Sequence, residues 1–547
     1  MNTANLLIRA TLYVLLLGFC SCLLAQSPNP AEPAMKLMPG VGNAHHKVST
    51  TNPEAQAFFD QGLAFIYGFN HVEAERSFRR AAELDPNLGM AYWGIAKALG
   101  TNYNLPVDKE REKQVYEAIQ RAAALAKSAP AMERDYIAAL AERFTNDPSA
   151  DFHQLDRNYR DAMRTLSQKY PDDLDAATLS AEAGMDLNPW RLWNADGSPA
   201  AGTEEVVSTL ESVLKRAPNH LGANHFYIHA TEASTHPERA VPSADRLGAL
   251  APASGHLVHM PAHTYIRTGD HETSARVNEE AAAADETLLK ATNEQGIYPM
   301  MYYTHNLHFI TMADSMMGRY ADALRAAHRV EAHVAPMAQK VPMLDGFMPM
   351  PTLVMVRFRR WQQILSLPQP AAGLSMTNGI YHYARGLAFA NTGRQAEARA
   401  ELTELEKLAP EMSKIPTNPT GAGNAQKIPK IAAELIEAKL AGEKSAQIAH
   451  LRAAVSLQDA MDYTEPPDWF YPVRESLGAA LLANGQAAEA EKVFREDLDR
   501  NPRNGRSLFG LRESLKAQGK TEDAEAVDGQ FKIAWKNADT QLNLDQL

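Results

Sequence analysis

Residues 55–86 read AQAFFDQGLAFIYGFNHVEAERSFRRAAELDP, and this stretch decides the fold. Its apolar residues recur at helical spacing on either side of a turn near His71, which predicts two helices packed against each other. Small residues let the two helices approach, aromatic rings fill the space between them, and a proline ends the second helix. The residues that make this pattern are Gly62, Phe65, Ala74, Phe78, Ala81 and Pro86.

The same pattern returns along the chain with a period of about 34 residues. It is strong in units that begin at Gly379, Tyr471 and Gly505. It is weaker in units that begin near Asn87, Leu174, Leu221, Gly255 and Thr304. The series resembles the tetratricopeptide (TPR) repeat and covers most of residues 53–540. The chain resembles secreted bacterial TPR-repeat proteins. This resemblance implies an all-α solenoid of antiparallel helix pairs with insertions in the middle repeats.

Length and composition narrow the class of protein. The chain has 547 residues, too many for a single compact core. Hydrophobic residues make up 45% and charged residues 22%, which is ordinary for a globular protein. Lys and Arg number 54 against 66 Asp and Glu, and this net charge of −12 argues against a nucleic-acid partner. We expect no membrane span in the mature chain.

The first residues predict export. Arg9 precedes an apolar run over residues 10–25, which is typical of a signal peptide cleaved after Ala25. The alternative is a lipoprotein anchored through Cys22. Cys20 and Cys22 are the two cysteines of the chain, so a cleaved, periplasmic or secreted protein has no thiol for disulfides, metal ligation or nucleophilic catalysis.

The predicted organisation has five parts. Residues 1–25 are the signal peptide and residues 26–52, rich in Pro, Ala, Ser and Thr, are a flexible lead-in. Residues 53–171 form N-terminal repeats, 172–345 form degenerate central repeats, and 346–547 form C-terminal repeats.

Histidine is concentrated in the central repeats, where ten of the 18 histidines lie between His220 and His308. By resemblance to TPR proteins, the first helix of each repeat lines a concave groove, and the repeat frame places seven histidines on that face. His225 and His259 are one repeat apart, so their rings are expected to stack in register across neighbouring helices. Pro261 predicts a kink beside them. The seven are His225, His229, His256, His259, His263, His305 and His308.

This stripe predicts a metal site. Two histidines four residues apart on one helix face can bind the same ion, and neutral imidazole suits Zn, Fe or Cu. We expect the seven histidines, with Glu182, to supply the ligands of one transition-metal ion, and Glu232 to act as a general base. Histidines with a carboxylate resemble an open zinc site or a two-His-one-carboxylate iron site.

Two other functions stay open at this point. A metal-free groove could bind a protein, peptide or small-molecule ligand, as repeat scaffolds commonly do. A structural assembly factor of the cell envelope is the third possibility. The sequence does not decide whether the protein is an enzyme.

Overall fold

The computed structural model describes residues 35–105, 109–147, 149–294, 296–417 and 423–547. Within these ranges the regular structure is helical, and the β features are two isolated bridges. The predicted signal peptide and both cysteines lie outside the described residues.

The helices follow one another with short connections. The N-terminal part contains α1 (Pro53–Tyr67), α2 (His71–Leu84), α3 (Gly89–Leu99), α4 (Lys109–Leu125), α5 (Ala131–Ala141), α6 (Phe152–Lys169), α7 (Leu174–Met185) and α8 (Thr203–Arg216). The central part contains α9 (Leu221–Thr231), α10 (Val241–Leu250), α11 (Gly255–His259), α12 (Pro261–Arg267), α13 (His271–Thr292), α14 (Thr304–Met316) and α15 (Tyr320–Val334). The C-terminal part contains α16 (Met350–Arg357), α17 (Trp361–Leu365), α18 (Ser375–Asn391), α19 (Gln395–Met412), α20 (Ile428–Leu440), α21 (Lys444–Asp459), α22 (Val473–Ala483), α23 (Ala487–Arg500), α24 (Gly505–Ala517) and α25 (Thr521–Ala534).

Successive helices pack as antiparallel pairs, such as α1 with α2, α18 with α19 and α24 with α25. Near both ends, one buried phenylalanine lies between two glycines. A Cβ atom added at Gly62 would come 2.7 Å from the Phe78 ring, and one added at Gly94 would come 2.3 Å from it. Phe494 is enclosed in the same way by Gly478 and Gly510. The chain is therefore an all-α, TPR-type solenoid, as the repeat pattern predicted.

The central repeats contain the helices that carry the clustered histidines. Helices α7, α9, α11 and α14 begin at the residues where the weak repeat units were expected to begin. The helix is interrupted beside Pro261, because α11 ends at His259 and α12 starts at Pro261, while Met260 between them keeps helical backbone angles. The break also divides the hydrophobic interior, since one buried cluster extends to Met260 and another starts at Ala262.

The described part of the lead-in makes contacts that its composition did not predict. Residues 35–52 pack along the repeats, with Val41 and Val48 buried. The backbone N–H of Ser49 donates to Glu133 at 2.5 Å, and His46 pairs with Asp175 at 3.0 Å. Composition missed this because the segment is held by polar contacts to distant helices rather than by its own apolar pattern.

None of the helices in the described part of the chain is both long and apolar enough to cross a membrane.

Candidate metal centre

Six histidines form two groups of three at the break between α11 and α12. The first triad consists of His225 and His229 from α9 and His256 from α11. The second triad consists of His259 from α11, His263 from α12 and His305 from α14. Within each triad, one ring nitrogen from every histidine lies within 4.8 Å of the other two. The repeat structure thus brings six rings from four helices to one place.

The two triads adjoin each other. The ring centroids of His229 and His263 are 5.8 Å apart, and those of His256 and His259 are also 5.8 Å apart. Five of the six histidines are 0–3% exposed, and His305 is partly buried. The triads therefore form one continuous, buried cluster of imidazoles.

Fixed acceptors set the tautomer of two rings, one in each triad. His225 donates its Nδ1 proton to the backbone carbonyl of Tyr67 at 2.6 Å. His259 donates its Nδ1 proton to Oδ1 of Asn278 at 2.6 Å, and the amide of Asn278 is oriented by donating to Ser274 at 2.7 Å. A ring that is protonated at Nδ1 has a lone pair at Nε2, so an acceptor at Nδ1 leaves the histidine in the tautomer that can bind a metal through Nε2.

Glu232 joins the two triads from behind. Its Oε1 accepts from Nδ1 of His229 at 3.2 Å, and its Oε2 lies 2.6 Å from Nδ1 of His263. Burial alone would raise the pKa of Glu232, but the two flanking rings outweigh burial and hold that pKa well below its usual value. The ionised carboxylate consequently turns the Nε2 atoms of both rings toward the interior of the cluster.

The Nε2 atoms face one another at short distances. In the second triad, Nε2 of His263 lies 2.9 Å from Nε2 of His259 and 3.4 Å from Nε2 of His305. In the first triad, Nε2 of His225 is 3.1 Å from Nε2 of His256. Two nitrogens bound at ~2.0–2.1 Å to one tetrahedral ion are about 3.3 Å apart, which is close to the 3.4 Å separation, whereas 2.9 and 3.1 Å are also hydrogen-bond distances.

Burial disfavours the protonated form of four of the six rings. Burial lowers the pKa of His225, His256, His259 and His305 well below the ordinary value. In addition, Nε2 of His229 is buried without a hydrogen-bond partner. The cluster therefore holds lone pairs that a bound metal ion would satisfy.

One phenylalanine backs each triad. The Phe69 ring centroid is 4.6 Å from that of His225 and 5.7 Å from those of His229 and His256. The Phe309 centroid is 4.7 Å from those of His259 and His263 and 4.9 Å from that of His305. Tyr103, Trp190 and Tyr302 add further aromatic contacts to His229 or His256.

Two of the predicted ligands lie outside the triads. Glu182 pairs with Nζ of Lys97 at 2.6 and 2.7 Å, and both side chains are 1% exposed. His308 contacts Phe347 instead, with ring centroids 5.7 Å apart. The other six predicted histidines fall into two groups of three, and Glu232 lies on the Nδ1 side of His229 and His263 rather than among the Nε2 atoms.

Sequence reasoning missed the partners that fix and enclose the rings. The Tyr67 carbonyl is at the end of α1 and Phe69 lies in the turn that follows, because the solenoid brings α1 against α9. Asn278 comes from α13, and Tyr302 from a π-helical turn over Pro299–Tyr303. A π turn often marks a functional site, but no motif in the sequence announced this one.

Comparisons with known proteins concern the fold alone. No protein-family model and no curated protein matches the chain. Similar solved structures include the human IFIT1 dimer with m7Gppp-AAAA, with 11% identity, a TM-score of 0.33, and coverage of 89% of this chain and 91% of that chain. The P58(IPK) TPR domain has 11% identity, a TM-score of 0.22, and coverage of 86% and 99%. The APC/C hetero-tetramer Cut9-Hcn1 has 10% identity, a TM-score of 0.28, and coverage of 89% and 88%.

Proposed function

We propose that this protein is a metalloprotein that binds two transition-metal ions, one in each histidine triad. The observation that carries the proposal is the arrangement of each triad, in which one nitrogen from each of three histidines lies within 4.8 Å of the other two. His225 and His259 donate their Nδ1 protons to fixed acceptors, so each keeps an Nε2 lone pair for an ion.

Copper is the metal that best matches the donor set. All six donors are imidazoles, and imidazole suits copper, zinc and iron. Among the described residues, the carboxylate that contacts these rings is Glu232. Two divalent ions would bring four positive charges into a buried site with one compensating charge, which is costly. Two cuprous ions bring only two.

Glu232 acts as a positioning residue in this proposal. Each of its carboxylate oxygens faces the Nδ1 atom of a different ring, so it orients one ligand of each ion. Three protein ligands leave an open coordination position on each ion, which is the arrangement of reactive rather than purely structural metal sites.

Metal content of the full chain, purified without a histidine tag and reconstituted with copper, tests the proposal. Elemental mass spectrometry is expected to find two equivalents in the wild type and at most one in His225→Ala or in His305→Ala. His308→Ala is the matched control, because it removes a buried histidine outside both triads. Unchanged metal content in both triad variants, or none in the wild type, would return the groove to metal-free ligand binding.

We also propose that the protein is exported, on the basis of the apolar run over residues 10–25. An oxidising compartment agrees with a metal site that uses no thiolate. Sequencing the N-terminus of the protein from its native host tests this, since a chain that begins near Gln26 supports cleavage and one that begins at Met1 contradicts it.

A further inference from the structure

A cavity lies among the C-terminal repeats, apart from the histidine cluster. It has a volume of about 340 Å³ and is lined by residues of α16, α18, α20, α22 and α24. That volume is within the range of ~300–1,000 Å³ that is usual for small-molecule sites. Leu387, Leu435, Leu451 and Leu547 give the cavity an apolar wall. The six triad histidines lie outside its lining, so what binds here does not depend on the proposed metal ions.

Positive charge exceeds negative charge around this cavity. The charged side chains of its lining are four cations and two carboxylates, namely Arg357, Arg359, Lys439, Arg506, Glu475 and Asp545. The buried Glu475 is shared, since it accepts from Arg357 at 3.2 and 3.3 Å and lies 2.8 Å from Nε of Arg506. Asp545 is exposed to solvent. A bound anion would therefore balance charge that these side chains leave uncompensated.

Two of the cations, Arg359 and Lys439, lack such a partner. In the part of the chain that the structure describes, neither forms an ion pair with an acidic side chain. Arg359 donates instead to the backbone carbonyl of Leu547. Burial and the adjacent Arg359 guanidinium lower the pKa of Lys439 to about 8. The two charges repel each other, and a carboxylate bound beside them would stabilise both.

The backbone at Arg359 is a second, independent observation. Arg359 lies two residues after the end of α16 with φ of 54°, in the left-handed region that favours glycine. Five other helices are followed at this position by a glycine with positive φ, namely Gly269, Gly318, Gly393, Gly485 and Gly519. Phe69 follows α1 at the same position, and its side chain contacts the first triad. Residues that are held in this conformation cluster at ligand sites, which supports a ligand for Arg359.

We propose that this cavity binds a small organic carboxylate with an aliphatic chain. Arg359 and Lys439 hold the carboxylate, since a guanidinium offers paired donors that match its two oxygens. The aliphatic chain lies against the apolar wall, where its burial adds to the binding free energy. A small inorganic anion would leave that wall uncovered, and a neutral chain would leave the two cations unpaired.

Isothermal titration calorimetry of the full chain with hexanoate tests the inference. Hexanoate has both a charge and a chain, hexanamide keeps the chain without the charge, and acetate keeps the charge without the chain. The expected result is one hexanoate bound per chain. Hexanamide and acetate should each bind more weakly by about 10-fold or more, because each lacks one of the two interactions.

Two variants remove the cations, and a third is the matched control. Arg359→Gln and Lys439→Met each delete one charge and should weaken hexanoate binding by about 10–100-fold, the loss expected for a hydrogen bond to a charged group. Lys430→Met deletes an exposed lysine from the same helix as Lys439, α20, and should bind hexanoate like the wild type. Thermal unfolding checks that all three variants are folded.

Three results would overturn the inference. The first is a wild type that gives no heat of hexanoate binding up to millimolar concentrations. The second is hexanamide binding as strong as that of hexanoate, because the charge would then play no part. The third is unchanged hexanoate affinity in both Arg359→Gln and Lys439→Met, which would place the bound hexanoate elsewhere. Because the cavity is separate from the triads, these outcomes leave the metal proposal unaffected.

Discussion

Replacing Glu232 with Gln is expected to change the metal affinity of one triad and to leave that of the other unchanged. The carboxylate offers an acceptor to Nδ1 of His229 and another to Nδ1 of His263. A carboxamide of the same shape offers one acceptor and one donor. One ring can therefore keep its Nδ1 proton, while the other must move its proton to Nε2 and loses the lone pair that binds metal.

The expected effect is unequal across the two sites. Loss of the acceptor that orients a metal-binding histidine weakens metal binding by ~10–100-fold, or about 1.4–2.8 kcal/mol at one site. In Glu232→Gln one ion should bind as in the wild type and the other should be weaker by that factor. Glu232→Ala removes both acceptors and should weaken both ions.

Competitive titration with a chromophoric copper(I) chelator measures both affinities. Thermal unfolding of the same samples checks that the variants are folded. Two ions bound with wild-type affinities in Glu232→Gln would refute the reasoning, because they would show that Glu232 does not set the tautomers. Equal weakening of both ions would also contradict it.

Other substitutions test the remaining parts of the account. Glu182→Gln breaks a buried ion pair and should destabilise the fold by about 3–5 kcal/mol in chemical denaturation, while metal content stays at two equivalents. Gly94→Ala should destabilise the fold by about 1–3 kcal/mol, because the added methyl group overpacks the core. Gly529→Ala lies in an exposed and open part of α25 and should stabilise the fold by about 0.5–1 kcal/mol. Denaturant titration of both variants measures the two effects. Burial lowers the pKa of His308 to about 4, so the unfolded chain takes up that proton first as the pH falls below its value of ~6.5. The wild type therefore loses stability as the pH falls from 6.5 to about 4. Over this window the free energy of unfolding of the His308→Gln apoprotein should rise by about 1.4 kcal/mol per pH unit relative to that of the wild type. A difference between the two proteins that does not change with pH would contradict the lowered pKa.

The repeat pattern predicted the fold class and the start of several helices. Small residues and phenylalanines at fixed offsets predicted the helix pairs, and the weak central units begin where α7, α9, α11 and α14 begin. The same frame selected the histidines that meet, because residues on one face of successive first helices must lie side by side in a solenoid.

The division of the histidines into two triads could not be read from that frame. His256 and His259 lie on one short helix but belong to different triads, and His263, beyond the interruption at Met260, belongs to the same triad as His259. The frame also placed Glu182 in the stripe, although its carboxylate forms an ion pair with the buried Lys97 from α3. Both outcomes depend on contacts between distant helices, which a repeat register does not encode.

The central claim is that two ions occupy two neighbouring three-histidine sites. Crystals of the copper-loaded full chain, measured on both sides of the copper absorption edge, test it most directly. The account predicts two anomalous peaks, one ~2.0–2.1 Å from the nitrogens of His225, His229 and His256 and one at the same distance from those of His259, His263 and His305. A single peak, or peaks away from these rings, would contradict it.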